Sequence, residues 1–106
     1  MNIICIGDSL TFGYGVGQEN SWVSLLNDEK NKFINKGVNG DTSTGILSRI
    51  YEILKSSDSK ICLIMFGSND IIMNKSISSI IDNISLMTDD CNSLNIKPII
   101  LSPPKI

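Results

Sequence analysis

Residues 2–10 read NIICIGDSL, and this stretch decides the fold class. Its four consecutive apolar residues, positions 3–6, predict a short strand buried on both faces, as in parallel sheets that are covered by helices. Gly7 ends the apolar run, and the polar residues Asp8 and Ser9 follow at once. The stretch therefore predicts a buried strand whose carboxyl end displays the hydroxyl of Ser9 instead of packing it.

The same alternation of short apolar runs with longer helical patterns continues along the chain. Further strands are predicted over residues 32–35, 61–66 and 98–101. Two prolines at positions 103 and 104 prevent the last strand from continuing. Strands that alternate with helices are typical of an α/β fold with a parallel sheet.

Three helices are predicted between these strands. The first covers residues 22–29 with Ser21 as its N-cap, and the second follows an N-cap at Thr42 or Ser43. The third begins at Ser76. Apolar residues at helical spacing are expected to form the core face of the second and third helices. They are Ile46, Leu47, Ile50, Tyr51 and Leu54 in the second helix, and Ile77, Ile80, Ile81, Ile84, Met87, Cys91 and Leu94 in the third.

The composition is that of one globular domain of 106 residues. Eleven acidic residues outnumber nine basic ones, of which only Arg49 is an arginine, so the chain offers no positive field for a nucleic-acid backbone. The sequence contains no histidine, which is the usual general base at neutral pH and the commonest metal ligand. Nucleic acid is therefore not an expected partner. Any catalytic mechanism must use a general base other than a histidine of these 106 residues.

The three cysteines, Cys5, Cys62 and Cys91, are widely spaced and lie beside aliphatic residues. Because there is neither a C-x-x-C pair nor a histidine, they form no zinc pattern and are predicted to be buried reduced thiols. No apolar run approaches the roughly 20 residues that span a bilayer, and no leader pattern precedes the first strand. We therefore expect no metal, no membrane partner and a cytoplasmic location.

Polar residues follow three of the predicted strands. They are Ser9, the stretch GVNGDT at residues 37–42 and the stretch GSND at residues 67–70. Because ligands collect at the carboxyl ends of the strands in parallel sheets, these residues are expected to face one cleft. A serine hydroxyl that acts as the nucleophile needs nearby N–H donors to stabilise the oxyanion of acyl transfer. A backbone N–H turned toward the cleft by a glycine loop and the side-chain amide of Asn69 are such donors.

These three blocks resemble the SGNH hydrolase family, also called the GDSL esterases and lipases. The tetrapeptide GDSL is similar to the first block of the family, and the resemblance implies that Ser9 is the nucleophile and donates its backbone N–H. The stretch NKGVNGDT resembles the second block, which implies that Gly40 donates its backbone N–H to the oxyanion. The stretch GSND resembles the third block, which implies the same role for the side-chain amide of Asn69.

The resemblance implies a three-layer, flavodoxin-like α/β sandwich with a parallel sheet in the strand order 2-1-3-4. It also implies a serine ester hydrolase that acts on a small-molecule ester through an acyl-serine intermediate, without a cofactor. The last block of the family, D-x-x-H, is absent from residues 1–106. We therefore expect a single domain that is truncated at its carboxyl end, lacks a fifth strand and self-associates through the exposed sheet edge.

The missing histidine leaves an alternative, which is a truncated or degenerate domain without catalytic activity. Lys36 or Lys75 would be the base if a serine–lysine pair replaced the histidine. The glycine string over residues 13–17 lacks dinucleotide-binding spacing, and a haloacid dehalogenase-type phosphotransferase would need D-x-D where this chain has DSL. Asp8 and Asp70 are expected to accept local hydrogen bonds at helix starts and not to form a catalytic pair.

Overall fold

The computed structural model describes residues 2–8, 23, 26, 30–66 and 68–101. Its elements follow in the order β1 (Asn2–Gly7), β2 (Lys32–Gly37), α1 (Ser43–Lys55), β3 (Ile61–Met65), α2 (Ser68–Ile72), α3 (Ile77–Ser93) and β4 (Lys97–Leu101). The strands lie where the apolar runs predict them, whereas the short helix α2 is not among the predicted elements. The helix predicted over residues 22–29 lies, apart from Val23 and Leu26, outside the described residues.

All four strands are parallel and lie in the order β2-β1-β3-β4, which confirms the predicted fold class and strand order. The register also aligns the carboxyl ends of the strands. Gly7 lies opposite Gly37 on one side and opposite Met65 on the other, and Met65 in turn lies opposite Leu101. The polar loops that follow β1, β2 and β3 therefore begin side by side at one edge of the sheet.

Side chains of the sheet alternate between its two faces, and both faces are buried. One face packs against α1 and α3 and contributes to the main core, whose buried residues are Ile4, Ile6, Ile46, Ile50, Leu54, Cys62, Ile64, Phe66, Met87, Cys91 and Ile96. The opposite face carries a second cluster made by Ile3, Cys5 and Val23, with Phe33, Ile61 and Leu63 packed against it. Burial on both faces is what the continuous apolar run of β1 predicts.

The N-caps of the two long helices are side-chain hydroxyls. Of the two candidates for α1, Thr42 is the cap, since its hydroxyl accepts a hydrogen bond from the N–H of Gly45 at 3.3 Å. Ser76 caps α3 in the same way, accepting from the N–H of Ser79 at 3.1 Å. These bonds satisfy N–H groups that have no partner within the helix, which fixes where each helix begins.

The predicted core faces of α1 and α3 are partly wrong. Ile77 and Ile81 of α3 are 76% and 58% exposed, and Tyr51 of α1 is also exposed, whereas Met87 and Cys91 are fully buried. Ile81 and Tyr51 each follow an inward-facing isoleucine by one position, which is a rotation of about 100° around the helix axis. Ile77 is the first residue of α3 and precedes the part of the helix that meets the core. No helix in the described part of the chain combines the length and the apolar character needed to cross a membrane.

All three cysteines are free thiols and are buried, as predicted. Burial raises the pKa of the Cys5 thiol to about 12. The pKa of Cys62 is raised by its hydrogen bond with Cys91 and by burial. Because the folded pKa of Cys5 lies above its unfolded value of 9.0, its ionisation lowers the free energy of unfolding only as the pH rises from there toward about 12. The cysteines are therefore core residues and take no part in the site described below.

The burial difference between two helical isoleucines gives a test of the packing. We expect Ile50→Ala in α1 to lower the free energy of unfolding by about 2–5 kcal/mol, because it leaves a cavity in the main core. The matched control Ile81→Ala removes the same atoms from an exposed position of α3. It is expected to change the free energy of unfolding by less than about 0.5 kcal/mol. Urea unfolding followed by circular dichroism measures both values. Equal losses would contradict the described packing of α1 and α3.

Candidate active site

A tight turn directly follows β2. The N–H of Asp41 donates to the carbonyl of Val38 at 3.2 Å, which makes residues 38–41 a β-turn. Gly40, the third residue of this turn, has φ of +76°, and Asn39 has no positive φ. This combination is that of a type II turn, which requires glycine at its third position.

The turn type decides where the N–H of Gly40 points. Type I and type II turns differ by a flip of the peptide between their two central residues, which here are Asn39 and Gly40. An alanine at position 40 would meet no atom within 4 Å, so the backbone conformation and not space requires the glycine. Within the described residues the N–H of Gly40 has no hydrogen-bond partner, and it is available as a donor.

The carboxylate of Asp41 fixes the end of this turn. Its Oδ1 accepts a hydrogen bond from the N–H of Thr42 at 3.0 Å. Its Oδ2 accepts from Nε and Nη2 of Arg49 at 3.0 and 2.7 Å. The acceptor side chain is only 10% exposed, so these charge-assisted bonds are partly shielded from water.

Asn69 lies in α2, the short helix that follows β3, and its side chain reaches the turn after β2. Its Nδ2 donates to the backbone carbonyl of Asp41 at 3.0 Å. Asp41 directly follows Gly40, so the structure brings the segments of Gly40 and Asn69 together. An asparagine amide has two N–H donors, and the second one of Asn69 has no partner within the described part of the chain.

The next residue, Asp70, is fully buried and ties α2 to the first turn of α1. Its two carboxylate oxygens accept from the N–H and the hydroxyl of Ser43 at 2.9 and 2.6 Å. Asn83 of α3 adds bonds from its Nδ2 to the hydroxyls of Ser43 and Thr44 at 2.9 and 3.1 Å. A carboxylate at a helix N-terminus also benefits from the helix dipole. Asp70 therefore acts as a local acceptor at a helix start, as the sequence predicts.

The predicted nucleophile, Ser9, lies outside the described residues, and so do Gly67 and the glycine string over residues 13–17. The chain is described as far as Asp8, which is buried and has hydrogen-bond or electrostatic partners. The carbonyl of Gly7 accepts from the N–H of Val38 at 3.0 Å. The segment that leads to Ser9 thus starts beside the turn that contains Gly40.

The two lysines considered as a base are both exposed, Lys36 at the end of β2 and Lys75 between α2 and α3. Neither is placed as a buried lysine beside the turn. Within the residues that the structure describes, no three histidine, cysteine, aspartate or glutamate side chains are grouped as they would be around a metal ion.

Exposed apolar side chains follow Asn69. Ile71, Ile72 and Met73 are all more than half exposed, and so is Ile77 at the start of α3. The site therefore borders a stretch of apolar surface on the side of α2.

The sequence predicts the loops of the site but not three features that hold these loops in place, namely α2, Asn83 and Arg49. The helix α2 is only five residues long, too short for an apolar period to reveal it. Asn83 is a polar residue within a helix and carries no motif. Arg49 belongs to the pattern of α1, and its status as the only arginine is the one signal that could have drawn attention to it.

The model of the GDSL-like lipase/acylhydrolase family matches residues 5–105 of the chain. The chain belongs to this family. It is 28% identical over 102 residues to "Thioesterase 1/protease 1/lysophospholipase L1" of Escherichia coli K12, and 33% identical over 91 residues to an arylesterase of Vibrio mimicus. These matches cover 93% and 80% of this chain but only 49% and 46% of those proteins. The GDSL-family chain thus spans about half the length of the curated relatives it matches.

Solved structures give the same result. A G-D-S-L family protein of Desulfitobacterium hafniense superposes with a TM-score of 0.90 at 30% identity, covering 97% of this chain and 60% of the other. The psychrotrophic esterase EstA from Pseudoalteromonas superposes with a TM-score of 0.87 at 27% identity, covering 98% of this chain and 62% of the other. The four-stranded parallel sheet is therefore the part of the GDSL-family fold that this chain contains.

The buried carboxylate of Asp70 gives a test of the site's framework. We expect Asp70→Asn to lower the free energy of unfolding by about 1–3 kcal/mol, since the amide cannot accept both hydrogen bonds from Ser43. The matched control Asp82→Asn, at an exposed position of α3, is expected to change the free energy of unfolding by less than about 0.5 kcal/mol. Urea unfolding measures both values. Equal free energies of unfolding for the two variants would contradict the hydrogen bonds of Asp70.

Proposed function

We propose that this chain carries the nucleophile and the oxyanion donors of a serine hydrolase that acts on small-molecule esters. The Ser9 hydroxyl oxygen attacks the ester carbonyl carbon, and its proton passes to a base. The backbone N–H groups of Ser9 and Gly40 and the Nδ2 of Asn69 donate hydrogen bonds to the oxyanion that forms. The base gives this proton to the alcohol oxygen as the ester C–O bond breaks, which leaves an acyl-serine. A water molecule then gives a proton to the base and attacks the acyl carbon, and Ser9 regains the proton as the acid is released.

The proposal rests on the 3.0 Å hydrogen bond from Nδ2 of Asn69 to the carbonyl of Asp41. This bond makes neighbours of two segments that leave different strands, one of which contains Gly40. Each segment keeps an N–H donor without a partner among the described residues. Two open donors beside the end of β1, from which Ser9 follows, are the arrangement that an oxyanion requires.

The 106 residues contain no histidine, so they lack the usual general base of a serine hydrolase. The family resemblance implies that a D-x-x-H block supplies this histidine together with the aspartate that orients it. A lysine acts as a general base when burial favours its neutral amine, whereas Lys36 and Lys75 are both exposed. We therefore assign the base to a D-x-x-H block outside residues 1–106.

The apolar residues that follow Asn69 support an ester with an apolar acyl part. Ile71, Ile72 and Met73, which lie two to four residues after the proposed donor Asn69, expose their side chains. An acyl chain bound there would cover apolar surface that is otherwise in contact with water, which favours binding by roughly 25 cal/mol per Å² of buried apolar area. One relative is named as an arylesterase, and the name of another includes lysophospholipase, so both names include an activity on esters.

The alternative function is that of a catalytically inactive domain, and the absence of histidine is the observation that favours it. Such a domain would keep the strand-end loops but would bind an ester without turning it over. The outer edge of β4 pairs with no other described strand, and we propose it as the surface for self-association.

Hydrolysis of p-nitrophenyl butyrate separates these functions. Removing the base of a serine hydrolase costs on the order of 10⁶ in rate, so we expect the 106-residue chain to show negligible hydrolysis that Ser9→Ala leaves nearly unchanged. A longer form with a D-x-x-H block after residue 106 is expected to hydrolyse the ester and to lose this activity on Ser9→Ala.

Opposite results with the two forms of the chain would contradict these expectations. A folded longer form without activity would support the inactive domain and contradict the proposed hydrolase. Rapid hydrolysis by the 106-residue chain that depends on Ser9 would contradict the assignment of the base, and the variants Lys36→Met and Lys75→Met would then identify its source.

A further inference from the structure

Arg49 lies in α1, outside the three loops to which the proposed function assigns roles, yet its guanidinium contacts the ends of two strands. Its Nη1 donates to the carbonyl of Lys36 at 2.7 Å, near the end of β2. Its Nη2 donates to the carbonyl of Gly7 at 3.2 Å, at the end of β1. The same guanidinium binds the carboxylate of Asp41 through Nε and Nη2. One side chain thus joins β1, β2 and the turn that follows β2.

This ion pair differs from the exposed pairs that contribute little to stability. The Arg49 and Asp41 side chains are 23% and 10% exposed, and the guanidinium donates four hydrogen bonds. A lysine could not reproduce them, because its ammonium is a compact charge without the planar fork of arginine. The arrangement therefore requires arginine in particular and not only a positive charge.

Asp41 is held at both its side chain and its backbone. Arg49 binds the carboxylate, and the Nδ2 of Asn69 binds the carbonyl. Gly40 directly precedes Asp41, so a shift of Asp41 would move the peptide of Gly40 and remove the acceptor of Asn69. We infer that Arg49 is a positioning residue that, through Asp41, sets the two oxyanion donors Gly40 and Asn69. This inference rests on the proposed function for the role of the donors, and on the structure for their placement.

Gly45 gives independent evidence that the carboxylate of Asp41 packs closely against α1. A side chain at position 45 of α1 would overlap the Oδ1 atom of Asp41. Glycine within a helix costs roughly 1 kcal/mol relative to alanine, and here it leaves room for the carboxylate. The variant Gly45→Ala is therefore expected to displace the carboxylate of Asp41 while leaving every charge in place.

Hydrogen exchange of the Asn69 side-chain amide, measured by NMR on the ¹⁵N-labelled chain, tests the inference without a substrate or a base. We expect Arg49→Met to speed this exchange by roughly tenfold, because Asn69 loses a fixed acceptor. The exchange rate in Arg49→Lys is expected to be close to that in Arg49→Met. Gly45→Ala is expected to raise the exchange rate by a similar factor. The control Lys60→Met, which removes a positive charge from an exposed position at the opposite end of the sheet, should leave the rate unchanged.

A second measurement distinguishes positioning from a general loss of stability. Guanidinium chloride, far below the concentration that unfolds the chain, is expected to restore slow exchange at Asn69 in Arg49→Ala, whereas ammonium chloride at the same ionic strength is not. Amides of β3, such as that of Ile64, should keep their exchange rates in all of these variants. In the longer form with a D-x-x-H block, Arg49→Met is expected to lower kcat by at least roughly tenfold with KM nearly unchanged.

Unchanged exchange at Asn69 in both Arg49→Met and Gly45→Ala would overturn the inference, as would an equal increase at Asn69 and Ile64. These outcomes are separate from a failure of the proposed function. A longer form that shows no ester hydrolysis would remove the proposed function, while the exchange rates would still decide whether Arg49 sets the position of Asp41 and Asn69.

Discussion

The register of the parallel sheet is the constraint on which the site depends. Gly37, Gly7, Met65 and Leu101 form one row across the four strands, so all the strands end at the same level. Because β1 lies between β2 and β3, the loops that follow these three strands start as direct neighbours. A shift of one residue in either pairing would turn the side chains of that strand to the other face and would separate the loops. The apolar residues of both clusters hold this register, since each face of the sheet is buried.

The helix α1 then fixes two of these loops relative to each other. Each proposed oxyanion donor is followed directly by an aspartate, Asp41 after Gly40 and Asp70 after Asn69. Both carboxylates are bound by α1, Asp41 through Arg49 and Asp70 through Ser43. The two loops leave different strands, but they share one rigid support that packs on the main core. The polar residues of the blocks therefore have a structural role that is compatible with the proposed chemical one.

The sequence is sufficient to predict the parts of this structure that depend on local pattern. Apolar runs give the four strands, and the order of glycine, polar residues and helix caps gives the loops between them. Contacts between distant residues are not predictable in this way, because the bonds of Arg49 to Gly7 and of Asp70 to Ser43 exist only once the sheet has formed. The exposed side chains of Ile77 and Ile81 show a second limit, since an apolar residue in a helix can face water as well as the core. Gly40 is an intermediate case, in which the turn is predictable and its type follows from the structure.

The most direct test of this account is a set of nuclear Overhauser effects in the ¹³C,¹⁵N-labelled chain between the β protons of Ser9, the amide proton of Gly40 and the side-chain amide protons of Asn69. Donors that surround one oxyanion lie about 2.7–3.1 Å from the same oxygen atom and are therefore close to each other. We expect cross-peaks among all three groups. Cross-peaks between Gly40 and Asn69, with the β protons of Ser9 in contact only with residues of the opposite sheet face, would contradict it.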